Sequence, residues 1–263
     1  MLKYIHIIKM VLKSNLVYKA NFMVGLFNQL LIILFEFLGL LSLFNKFGSL
    51  NNWKLTEVFL LYGIINFSFS FSEVFFRGFE SNIQSIIREG KYDRYLLRPY
   101  STLLQISAYN FQPVRIGRLL LAIFVLIIGL FYNFEHISNI YKLIYLLFVL
   151  ASSTSLYAGI YIAVGSLTFL FTQYIEFTGI FIQGSVSMMQ YPKDVFPKYI
   201  QDFFSYILPV TLVSYYPISI ILNKIKPQNN YLDLFFPLAG ILFFVMSYLL
   251  FKKLEKKYSS VGN

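Results

Sequence analysis

Runs of about 20 apolar residues recur along this chain, each long enough to cross roughly 30 Å of hydrocarbon as a helix rising about 1.5 Å per residue. That feature removes most folds. Backbone N–H and C=O groups find no water inside a bilayer, so a chain that enters it must be helical or close into a barrel. A transmembrane barrel shows short alternating segments, and Leu121 to Leu130 has no alternation. With 57% hydrophobic, 20% aromatic and only 13% charged residues, the sequence predicts an all-α membrane protein built as one domain.

The expected spans are residues 23–44, 55–76, 119–132, 141–171, 177–190 and 231–251. The third is expected to begin earlier as a helix through Ser107 to Phe111. The fifth has only 14 residues, about 21 Å as helix, short of the bilayer core. Gly159 and Ala163 form a small-xxx-small pair on the fourth, where another helix can approach. Trp53, the only tryptophan, marks an interface after the first span.

Ahead of the spans, residues 1–22 scatter Lys3, Lys9, Lys13 and Lys19 among apolar positions, without the apolar core or cleavage site of a signal peptide. They predict an interfacial helix. Between spans five and six, residues 191–226 form a proline-rich piece with Tyr191-Pro192, Phe196-Pro197, Pro209 and Tyr216-Pro217. Phe204 to Leu222 either crosses the membrane or dips in and returns. Basic residues favour the second course. Six spans put four Lys or Arg in residues 1–22, seven in residues 77–118 and four in residues 252–263 on one side, against seven on the other, and the richer side is cytoplasmic. Both termini are then cytoplasmic. The net charge of +10 is accounted for by anionic lipid at those ends rather than by nucleic acid.

Residues 77–118 are the polar island of an otherwise lipid-like chain. Phe79, Ile83, Ile86 and Ile87 recur at spacings of three and four, with Glu80, Gln84 and Arg88 on the other side, the pattern of an amphipathic helix. Gly90 sits where a left-handed helix stop belongs, and Pro99 closes a basic Leu-Leu-Arg-Pro run. A loop that merely faces a bilayer needs no such design. A docking surface does.

Catalytic chemistry is missing. No G-x-x-x-x-G-K-[ST] is present to cradle a nucleotide phosphate, there is no cysteine, and His6 and His136 fall on opposite membrane faces in the six-span layout. The chain is expected to be neither an enzyme nor a cofactor protein. Ionisable residues inside spans are functional candidates because they are costly in lipid. Glu36 is the deepest. It is either hydrogen-bonded to a neighbouring helix or part of a pathway. Glu73 and Glu176 lie nearer span ends.

The segment Ile87-Arg-Glu-Gly-Lys-Tyr-Asp-Arg-Tyr-Leu-Leu-Arg-Pro99, with Tyr191-Pro192, Phe196-Pro197, Ile207-Leu-Pro-Val210 and Tyr216-Pro217, resembles the permease subunits of ABC-2 type ABC transporters, in particular a bacterial branch of about this length. The resemblance covers the whole chain. It implies a half-transporter in the bacterial plasma membrane, pairing with a second permease chain and with a cytoplasmic ABC ATPase dimer that binds ATP and Mg. Residues 1–22 would be an elbow helix, and 23–251 the transmembrane domain. Ser81 to Arg88 would form a cytoplasmic coupling helix, with Glu89, Gly90, Lys91, Asp93 and Arg94 transmitting closure of the ATPases. Residues 191–226 would be an extracellular re-entrant hairpin acting as a gate. The implied function is export, most naturally of an amphipathic or apolar substrate. A secondary carrier or channel working without an ATPase, or a membrane scaffold or sensor, stands as the alternative.

Overall fold

The computed structural model describes residues 2–171, 179–225 and 232–260. Every regular element among them is helical; the one β-contact is an isolated bridge between Leu50 and Trp53. α1 (Leu2–Val17) precedes α2 (Lys19–Phe47) and α3 (Leu55–Arg88). Two short helices, α4 (Asp93–Leu96) and α5 (Thr102–Tyr109), lead through a 3-10 turn at Pro113–Arg115 into α6 (Ile116–Tyr132). α7 (Phe134–Ile137) turns the chain into α8 (Ile140–Ser166). A π-helical turn at Ile180–Gly184 runs into α9 (Ser185–Met189), followed by α10 (Lys198–Asp202), α11 (Val210–Val213) and α12 (Tyr215–Ile221). α13 (Leu238–Glu255) closes the bundle.

Four segments are long and apolar enough to cross a membrane: Lys19–Phe47, Leu55–Arg88, Pro113–Tyr132 and Ile140–Phe169. A fifth arises if the bent pair Lys198–Ile207 and Val210–Ile221 is one span. Ile180–Met189 is a shorter apolar helix. α13 carries Lys252, Lys253 and Glu255 in its last turns, so charge occupies the end of its 18 residues. The protein is a multi-pass membrane protein.

α3 is the axis of the bundle. It begins after Lys54, whose backbone N–H donates to Glu57 at 2.6 Å, and is buried over most of its length. α6 and α8 pack along it, α2 flanks α6, and α13 lies against α8. Glycine sets the closest approaches. A Cβ at Gly63 would sit 2.6 Å from the Cα of Leu126, and one at Gly129 would sit 2.6 Å from the amide nitrogen of Leu60. These two glycines lock α3 and α6 reciprocally, backbone to backbone, as small residues do between membrane helices. Gly159 does the same for α8, where a Cβ would lie 3.0 Å from the Cα of Phe244 on α13.

Several boundaries differ from expectation. The amphipathic stretch 81–88 is not a separate helix. It is the last part of α3, because nothing between Leu55 and Arg88 interrupts helical periodicity. The interfacial helix stops at Val17, and α2 starts at Lys19 rather than at residue 23. The third span does not extend back through Ser107 to Phe111: Pro113 cannot continue a helix begun before it, so α5 ends at Tyr109. Within residues 191–226 the backbone breaks at Leu208–Pro209 and at Ser214, not at Pro217, which occupies the first turn of α12 where a missing N–H leaves nothing unpaired. The turn at 172–176, with Glu176, and residues 226–231 lie outside the described residues.

Candidate functional site

Three polar constructions stand out: the Gly90 turn, an ion-paired centre, and the bent segment near Trp53.

At the Gly90 turn α3 stops as its sequence requires. Gly90 has φ +64° with open space where a Cβ would be, so backbone conformation alone selects glycine. The amide N–H of Lys91 donates to the Ile86 carbonyl at 2.9 Å and that of Gly90 to Ile87 at 3.0 Å, closing the helix end. Ile83 and Ile86 are buried, but the residues covering them belong to the chain itself: Phe79, Tyr92, Leu103, Ile106, Ile162 and Phe251 form one cluster with them. Ile87 packs at its margin. What the turn offers outward is Ser81, Arg88, Glu89, Lys91 and Arg94, together with Leu97, which is 85% exposed. Glu89 pairs with Lys91, and that hydrogen bond, followed by the lysine's charge, holds the Glu89 carboxyl below its usual range.

The end of α13 clasps this turn. Glu255 accepts hydrogen bonds from the Tyr92 hydroxyl at 2.6 Å, from Lys252 at 2.8 Å and from Thr102. Burial pushes the Glu255 carboxyl up, but these three donors outweigh it and hold the carboxyl below the usual carboxylate value. Burial, reinforced by the bond to Glu255, pushes the Tyr92 phenol well up, so it stays a protonated donor. The Tyr258 ring packs tilted against Tyr92 with 4.8 Å between centroids, and Ser260 donates to Asp93 at 2.6 Å. Residues 252–260 are thus part of the turn rather than a loose tail.

Further along α3, Asn66 and Glu73 stand seven residues apart, two turns on one face. Arg118 on α6 donates to Glu36 on α2 at 3.1 Å and to Asn66 at 3.3 Å. Gln190 adds its amide to Glu36 at 3.0 Å and to Asn66 at 3.4 Å. Below it, Arg115 donates to Glu73 at 2.8 Å and to Gln29 at 3.3 Å. Arg118 is buried over the face of Phe69, 4.7 Å from its centroid. Glu36 is therefore hydrogen-bonded to its neighbouring helices. Arg115 and Arg118 belong by sequence to the polar island of residues 77–118, yet both reach into the bundle. Pro113 and Gly117, which end one helix and let α6 touch α2 at Leu26, are the signal that a new buried helix begins there. Asn66 and Gln190 gave no sign that they would join Glu36.

Near Trp53 the chain bends by 73° between Lys198–Ile207 and Val210–Ile221. Ser153 on α8 donates to the Val213 carbonyl at 3.0 Å, next to the break at Ser214, so one freed backbone group is satisfied by a neighbour. Pro192 and Pro197 precede short helical turns. Tyr191 packs 6.5 Å from Phe196. Lys193 lies 4.1 Å over the Tyr216 ring, and the Tyr215 hydroxyl donates to Asp194. Trp53 lies 5.5 Å from Tyr215, while Lys224 pairs with Glu57 at 2.8 Å. Trp53, Lys193, Asp194, Tyr215, Tyr216 and Lys224 line a cavity of about 440 Å³. Among the described residues no group of His, Asp and Glu could hold a metal ion.

The family model described as ABC-2 family transporter protein matches residues 30–262 of the chain. No curated protein matches it.

Proposed function

This chain belongs to the ABC-2 transporter family, and from that premise we propose that it is the permease subunit of an ATP-binding-cassette exporter driven by a separate cytoplasmic ATPase. The carrying observation is the Gly90 turn. Arg88, Lys91, Arg94 and Leu97 project from a turn that a buried aromatic cluster and Glu255 hold rigid. A rigid, basic, partly apolar knob at the end of the central helix suits docking into a partner groove, where the charges set orientation and the leucine is buried. Ile83 and Ile86 support the knob from behind. ATP and Mg belong to the partner ATPase dimer.

In this reading the Gly90 end is cytoplasmic, with α1 as an elbow helix and both termini on that side. Six spans cross the bacterial plasma membrane: α2, α3, α6, α8, the 180–190 segment and the segment ending in α13. The bent segment near Trp53 is a re-entrant outer gate. Met23, Val24, Phe27 and Phe35 on the exposed flank of α2 face lipid or a second permease chain. The cargo is amphipathic or apolar, in keeping with the aromatic-rich spans.

The test reverses charge where the fold does not depend on it. Arg88→Glu with Arg94→Glu alters two exposed side chains, so insertion and thermal stability should hold. Co-purification of the ATPase and ATP-driven flux in vesicles should fall at least tenfold. Retention of both would break the docking assignment and favour an ATPase-independent carrier.

A further inference from the structure

Two cavities share Tyr4, one between α1, α3 and α5 and the other between α1, α5 and the chain just before α5. One, of about 310 Å³, is walled by Ile8, Phe71, Phe75, Phe76 and Leu104. Phe71 and Leu104 on its wall are exposed. The other, of about 350 Å³, is lined by Lys3, His6, Arg98, Tyr100 and Tyr109. Lys3 donates to the Tyr100 hydroxyl and Arg98 to the Tyr109 hydroxyl at 2.9 Å. Neither cation makes an ion pair among the described residues. Tyrosines position both exposed side chains, and no acidic group among the described residues pairs with either. At the apolar cavity the buried hydroxyl of Ser107 has no hydrogen-bond partner among the described residues. One region thus holds an apolar cleft, a hydroxyl without a partner among the described residues and two cations without an acidic partner there, the complements of acyl chain, ester linkage and phosphate.

We propose that the seam between α1 and α5 binds one anionic phospholipid, its phosphate on Lys3 and Arg98, its ester carbonyl on Ser107 and an acyl chain along Phe71, Phe75 and Phe76. The site follows from charge and shape on this chain and does not depend on the ATPase reading. Two basic side chains, each contributing about one charge of attraction near a membrane surface, should favour an anionic over a zwitterionic headgroup by roughly 30-fold.

The experiment uses the full chain in detergent with the Trp53→Phe and Phe75→Trp substitutions, which move the single tryptophan into the cleft. Phosphatidylglycerol with brominated acyl chains should quench that tryptophan at a concentration roughly 30-fold below brominated phosphatidylcholine. Lys3→Gln with Arg98→Gln should abolish the preference, Lys3→Arg with Arg98→Lys should keep it, and Lys9→Gln with Lys13→Gln, at exposed positions of α1, should leave it unchanged. Equal quenching by the two lipids would overturn the site. So would equal loss in the Lys9 and Lys13 variant, which would mean diffuse surface charge. Displacement by soluble glycerol phosphate at matching concentration would overturn it too, by showing a free-anion site without an acyl chain.

Discussion

The two ends of α3 are built on opposite principles. At Arg88 the helix runs unbroken into a glycine stop, and its last turns sink into the cluster of Phe79, Ile83, Ile86, Tyr92 and Phe251, with Glu255 fastening the turn beyond. On the Leu55 side the backbone packed around the helix is interrupted, with a break at Pro209 and another at Ser214. There, single polar contacts such as Lys224 with Glu57 and Tyr215 with Asp194 join short pieces. Close-packed cores have few discrete arrangements, whereas interrupted helices change shape at a few dihedrals. One end is suited to passing on a displacement, the other to being rearranged by it.

The sharpest way to break this contrast is to attack the solid end. Ile83 is fully buried, so Ile83→Asp places an unpaired carboxylate in the cluster at a cost of several kcal/mol. The expected result is loss of monodisperse protein in size-exclusion chromatography. Survival of folded protein with loss of ATPase binding alone would mean that Ile83 meets the partner and that the cluster is not a core.

Next in size is the ion pair between the two ends. Glu36→Gln strands the buried Arg118, a loss of about 3–5 kcal/mol, and adding Arg118→Gln should recover most of it. Thermal unfolding in nanodiscs checks the cycle. Additive losses would mean that the two residues act separately.

Glu255→Gln should remove about 1–2 kcal/mol, since the charge strengthening three hydrogen bonds is lost. Because the folded Glu255 carboxyl lies below its ordinary value of 4.5, its contribution is complete above that pH and disappears as pH falls through the lower folded value. Wild-type stability should therefore drop on acidification below about pH 4.5 more than that of the variant. Parallel pH curves would detach Glu255 from the stability of the turn.

The smallest stability effect is expected at the interrupted end. Pro209→Ala restores backbone freedom at a site already outside the helices, worth about 0.4–1 kcal/mol, while flux in reconstituted vesicles should change several-fold. Equal losses of folded protein and of flux would make the bend a scaffold.

The all-helical class and most long helices were legible because apolar length and period carry them. Gly90 was legible because its stop needs a conformation that glycine alone adopts freely, and Gly159 because close approach needs a small residue. The stripe of Ile83 and Ile86 was legible as a buried face, but periodicity does not say which surface buries it, and Tyr92, Ile162 and Phe251 are distant in sequence. Arg118 and Glu36 are separated by 82 positions, so nothing local could join them. Glu255 looked like one more charge in a basic tail, since its partners Tyr92 and Thr102 carry no formal charge to betray it.

The unbroken course of α3 has a mechanical consequence. Its 34 residues make a rod about 51 Å long. The tightest backbone contact along it, Gly78 against the Asn110 carbonyl, lies about 35 Å from the Leu55 end and about 15 Å from Arg88. With that contact as fulcrum the arms are unequal, so a tilt of about 5° swings the Arg88 tip by about 1 Å and the Leu55 tip by about 3 Å. A push of about an ångström at the Gly90 turn then reaches the far end as a larger, weaker movement, and the bundle gears force up into stroke.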